Sequence, residues 1–155
     1  MGRSTDASVY VGVVLTDKVL YEAYCRSQNE DEDSEYDGEV YYEEAPYNKW
    51  VEEVIEKFNK DEESSGISVG AVDITNRTEY GDCDSVKVCF CIWSFGSDGI
   101  YGNDYGQAMN LMSFSKMSEI VQKSSPAIGK LLNELGISEE ECSRDLQIVI
   151  QVVSN

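Results

Sequence analysis

Residues 8–17 read Ser8-Val9-Tyr10-Val11-Gly12-Val13-Val14-Leu15-Thr16-Asp17. Val9, Val11, Val13 and Leu15 alternate with Tyr10, Gly12 and Val14, which is the two-residue period of a β-strand with one face toward a core. Thr16 then offers a hydroxyl to the open amides of a helix start, and Asp17 places a negative charge in its first turn. A strand therefore passes directly into a helix, expected to reach about Ser27 with Val19, Leu20, Ala23 and Tyr24 on one side.

Further along, Pro46 opens a second helix in which Trp50, Val51, Val54, Ile55 and Phe58 recur at helical spacing while Glu52, Glu53 and Glu56 face away. Strands are expected over Ile67–Ile74 and Val86–Phe95, joined as a hairpin with a long loop. Two helices are expected next, Ser115–Lys123 and Pro126–Leu135. Ser125 caps the second, Pro126 takes its first position, and Gly136 stops it. Ser138 with Glu141 forms a capping box for one more short helix, and Leu146–Val153 is the last strand, with Leu146, Ile148, Ile150 and Val152 on one side.

The order β-αα-ββ-αα-β predicts a single α+β domain over residues 1–155, with an acidic insertion at about 29–45. Its sheet is expected to be four-stranded and antiparallel with helices on one face, the split βαβ order of ferredoxin-like folds. The other face would then carry Tyr10, Val14, Val72, Cys89, Cys91, Trp93, Phe95 and Val149. It is either an exposed apolar interface or is covered by the acidic insertion or the glycine-rich segment.

Thirty acidic against twelve basic residues leave a formal charge of −18. Such a charge repels nucleic acid and anionic membranes and attracts cationic surfaces, so neither direct nucleic-acid binding nor membrane binding is expected. No apolar run approaches the roughly 18 residues that span a bilayer, and residues 1–6 lack the pattern of a signal peptide, so a cytoplasmic protein is expected. Five cysteines, at 25, 83, 89, 91 and 142, have no disulfide-framework spacing and read as reduced, packed thiols. The chain contains no histidine, which removes Ser-His-Asp and Cys-His nucleophilic machinery and His-ligated metals. No catalytic residue, cofactor or metal site is nominated.

Residues 30–44 stand out. Between Arg26 and Lys49 no basic residue occurs, while Glu30, Asp31, Glu32, Asp33, Glu35, Asp37, Glu39, Glu43 and Glu44 crowd together with Tyr36, Tyr41 and Tyr42. Asp31, Asp33, Glu35, Asp37 and Glu39 fall at every second position, so an extended backbone would space five carboxylates at roughly 6.6 Å along one edge. Such a row can stand in for phosphates against a cationic groove. The opposing reading is a solvated acidic loop. Residues 33–44 also resemble an EF-hand calcium loop, with Asp33, Glu35 and Asp37 at positions one, three and five, Gly38 at six, Val40 at eight and Glu44 at twelve. The polar entry Asn29-Glu30-Asp31-Glu32 and Pro46 oppose that assignment, and an Asp37-Gly38 hairpin turn explains the same residues. The segment Gly96–Gly106 lacks a phosphate-loop ending and carries Asp98 and Asp104 where phosphate needs positive charge.

These features lead to the expectation of an acidic inhibitor or nucleic-acid mimic that occupies the basic surface of a nucleic-acid-binding protein, as a viral counter-defence protein would in the host cytoplasm. Its binding surface would comprise Asp31, Asp33, Glu35, Asp37, Glu39, Glu43, Glu44, Glu52, Glu53 and Glu56. The sheet face with Tyr10, Trp93 and Phe95 would serve as an interface, for a homodimer or a partner. The alternatives are an interaction or immunity-type module that binds through that face, and a calcium-regulated binder.

Overall fold

The computed structural model describes residues 5–28, 46–77, 83–92 and 114–154. In chain order these form β1 (Thr5–Thr16), α1 (Asp17–Ser27), α2 (Pro46–Asp61), a 3-10 turn (Glu63–Ser65), β2 (Ser68–Arg77), β3 (Cys83–Ile92), α3 (Phe114–Glu134) and β4 (Gln147–Ser154). The strands build one antiparallel sheet in the order β2-β3-β1-β4, an α+β arrangement compatible with a split βαβ topology.

The opening stretch behaves as its residues dictate. Val13 and Leu15 enter the core, and the Thr16 hydroxyl accepts the Val19 amide at 3.4 Å to start α1. Leu20 and Ala23 then face the sheet. α2 buries Tyr47, Val51 and Phe58, and the Tyr47 hydroxyl donates to Asp17 at 3.0 Å, tying the two helices together. β2 and β3 form the expected hairpin, paired from Ser68↔Ile92 to Arg77↔Cys83. Asn59 on α2 secures the free side of β2: its amide oxygen accepts the Val69 N–H at 2.8 Å and its amide nitrogen donates to the Val69 carbonyl at 3.0 Å. One side chain thus does for Val69 what a neighbouring strand would.

Three expectations are corrected. Residues 115–135 are not two helices: α3 runs unbroken through Pro126. Ile120, Ser124, Ala127, Ile128, Leu131 and Leu132 make one continuous buried stripe across it, and packing that stripe outweighs the roughly 3 kcal/mol that an interior proline costs. The helix does stop at Gly136, which takes φ +69°, with Gly136 N–H on the Asn133 carbonyl and Ile137 N–H on the Leu132 carbonyl. Secondly, Ser138 and Glu141 form only a single turn, although the box itself closes.

The third correction concerns the sheet faces. Cys89 and Cys91 lie on the helix side among Val13, Leu15 and Val69, while Val88 and Phe90 take the opposite face with Tyr10, Val14 and Val72. Both sides of β3 are apolar there, so alternation alone does not say which side turns inward, and a one-residue choice reverses every side chain. That opposite face is closed at its centre, since Val88 is 0% exposed. The helix layer covers β1, β2 and β3. On β4, Ile148 and Ile150, in register with Val11 and Val9 on the helix side, are 60% and 64% exposed.

Candidate functional site

Of the ten acidic residues nominated for partner binding, three lie within the described residues. Glu52, Glu53 and Glu56 stand on the exposed side of α2, put there because Val51 and Phe58 occupy its inner side. Their charge is partly cancelled by the helix itself. Lys49 lies 3.8 Å from Glu53 and Lys60 lies 2.9 Å from Glu56, both four residues apart. The hydrogen bond and charge of Lys60 hold the Glu56 carboxyl below its ordinary range. Glu52 makes no ion pair among the described residues. At the end of α2, Glu62 is engaged by Lys130 from α3. The α2 surface therefore offers a cationic partner less charge than its count of carboxylates suggests.

Asp31, Asp33, Glu35, Asp37, Glu39, Glu43 and Glu44 fall in 29–45, outside the described residues, as does the calcium-like spacing of 33–44. Trp93, Phe95 and the segment 96–106 are outside them as well. Of the nominated sheet-face interface only Tyr10 is described. It is half-buried, its ring centroid is 4.7 Å from that of Phe90, and its hydroxyl donates to Gln151 at 3.4 Å.

Cys25, Cys89, Cys91 and Cys142 are free thiols. Burial pushes the Cys89 thiol up to about 12 and raises Cys91 and Cys142 too. A thiol raised in this way stays protonated and unreactive near neutral pH, in keeping with a packing role. Lys87 is buried on the helix side of β3 and meets Asp73, directly opposite on β2, at 2.8 Å. Among the described residues no group of three or more His, Cys, Asp or Glu is placed to hold a metal ion.

Sequence reasoning missed a polar cluster that fastens the segment between α3 and β4. Arg26 on α1 contacts Glu141 at 2.7 Å and donates to the Gly136 carbonyl at 3.0 Å. Glu141 in turn accepts from the Ser138 amide and hydroxyl at 2.8 and 3.1 Å. Arg144 donates to the carbonyls of Gly129 and Ile137 and, at 2.7 Å, to the Asn133 side chain. Arg26 and Arg144 in so acidic a chain were the available signal, but several of their targets are backbone carbonyls, which leave no mark in the sequence. Beside this cluster lies a shallow cleft of about 190 Å3 lined by Val14, Thr16, Val19, Glu141, Cys142 and Gln147 among others.

The cluster has a pH signature. Burial alone would raise the Glu141 carboxyl, but the bonds from Ser138 and Arg26 outweigh it and hold the group below its ordinary 4.5. A folded-state pKa below the unfolded one stabilises above the unfolded value, and that contribution disappears as pH falls through the folded value. The stability gap between wild type and Glu141→Gln, measured by urea unfolding, is expected to be full at about pH 7 and to close progressively below about 4.5. A gap of constant size down to about pH 3 would contradict this assignment.

Comparison with known proteins finds no matching family model, no similar curated protein and no matching solved structure.

Proposed function

We propose that this chain is a non-catalytic acidic inhibitor or nucleic-acid mimic that binds the cationic surface of a nucleic-acid-binding protein, as viral anti-restriction or anti-CRISPR proteins do in the host cytoplasm. The observation that carries this reading is the distribution of charge. The formal charge is −18, and 15 of the 30 carboxylates lie between Glu30 and Glu63 against three lysines in the same span. A field of that sign steers a basic partner toward one region and holds it there by displacing the anions the partner would otherwise bind.

The pairing of Glu53 with Lys49 and of Glu56 with Lys60 shifts the expected work from α2 toward Asp31, Asp33, Glu35, Asp37, Glu39, Glu43 and Glu44. The alternate spacing of the first five suits a partner groove built for a phosphate row. Contacts of this kind are screened by salt, because the Debye length shortens from about 10 Å at 0.1 M to about 3 Å at 1 M. Immobilised protein is expected to retain a basic nucleic-acid-binding protein from lysate at low salt and to release it when salt is raised or when duplex DNA is added as competitor. Retention indifferent to both salt and DNA would sink the reading.

A further inference from the structure

We infer that β4 is a dimerisation strand, pairing antiparallel with β4 of a second copy about a two-fold axis at Val149 and joining two four-stranded sheets into one of eight. Four observations on the edges of the sheet lead there. The order β2-β3-β1-β4 leaves two edge strands, and they are treated differently. β2 is blunted: Asn59 takes up the outward N–H and C=O of Val69, and Asp73 puts a half-exposed charge on the strand. Among the described residues β4 carries no such device.

In β4 the eight residues Gln147–Ser154 include no charged side chain, although 27% of the whole chain is charged. Natural edge strands carry charge, proline or cover to prevent pairing, so an uncharged edge is one that pairs. Ile148 and Ile150 are 60% and 64% exposed, and among the described residues the helices pack mainly on the other three strands.

The identity of the occupant follows from the order of residues. Gln147-Ile148-Val149-Ile150-Gln151 reads the same in both directions. Antiparallel pairing about Val149 sets Ile148 of one copy against Ile150 of the other, twice. Gln147 likewise meets Gln151, and Val149 meets its own counterpart. Four isoleucines then close into one apolar patch on the helix side, while on the other face the glutamines, able both to donate and to accept, flank the Val149 pair. A strand meant for a basic partner would carry carboxylates, as residues 30–44 do. A neutral palindrome matches itself. The contact is isologous and closes at two copies, which consumes both edges instead of leaving one to propagate.

The salt response separates this inference from the proposed function. Each copy carries −18, so the two repel, and added salt is expected to tighten dimerisation while it weakens the hold on a basic partner. Light scattering and sedimentation of the intact chain are expected to give twice the 17.3 kDa of one chain, more completely at high salt. Combining Ile148→Lys with Ile150→Lys opposes lysine to lysine twice and is expected to weaken dimerisation by about tenfold or more. Combining Ile148→Lys with Ile150→Glu opposes lysine to glutamate in the same register and is expected to restore it. Hydrogen exchange of wild-type β4 amides is expected to slow as concentration rises, a readout that needs no variant. A one-chain mass throughout, a mass that grows beyond two copies, or equal behaviour of the two double variants would each overturn the inference.

Discussion

Gly12→Ala is expected to lower the free energy of unfolding by about 3 kcal/mol, at the upper end of the usual cost of forcing extra volume into a packed site. A Cβ at position 12 would stand 2.1 Å from the Cys89 carbonyl oxygen, 2.9 Å from its carbon and 3.1 Å from the Phe90 Cα. All three are backbone atoms of β3, so no side-chain rotation relieves the overlap. β1 and β3 are the two central strands, and Gly12 is paired with Phe90 at the end of their ladder. Relief therefore means parting the middle of the sheet above Val13 and Cys89, both at most 1% exposed. Urea unfolding checks the value, and the melting temperature should fall by about 10 °C. Gly12→Val should cost more still. A loss below about 0.5 kcal/mol for the alanine variant would mean that the close approach is not a feature of the folded protein.

The second large effect concerns binding. Replacing Asp31, Asp33, Glu35, Asp37 and Glu39 together by Asn or Gln is expected to weaken binding of the cationic partner by about 100-fold or more, at about 0.5–1 kcal/mol per ion pair lost. The salt dependence of the residual binding should flatten, since fewer ions are exchanged on contact. Neutralising Glu53 and Glu56 instead should matter less, because Lys49 and Lys60 already meet them. Both sets are read by calorimetry or surface binding against the captured partner at fixed salt. Equal effects from the two sets would show that only total charge counts, and no effect from the first would remove the acidic row as the binding surface. Urea unfolding of the five-fold variant separates a loss of binding from a loss of folding.

The elements differ in how openly their residues announced them. β1 and α1 were legible because the alternating valines, the Thr16 cap and Asp17 all act within a few residues of themselves. The stop at Gly136 was legible for the same reason, since only a residue tolerant of φ +69° ends the helix there cheaply. The four-residue ion pairs on α2 were visible too, and they explain why that part of the acidic surface is subdued. α3 was misread because Pro126 is a strong local signal and the stripe from Ile120 to Leu132 is a stronger distant one. The arginine clamps were hard to read because Arg26 and Arg144 reach backbone carbonyls, whose positions depend on how the chain folds and not on residue type.

Composition and short-range pattern by themselves determined the charge of −18, its concentration in residues 30–63, the absence of histidine, the order of the four strands, and the first two helices. Only the tertiary structure decided which side of β3 faces the helices and which isoleucines stay outside. Cys89 and Ile150 are both apolar residues on strands of one sheet, yet one is 0% and the other 64% exposed. The difference lies in neither residue: burial is set by where the helices come to rest, and among the described residues they pack mainly on β1, β2 and β3.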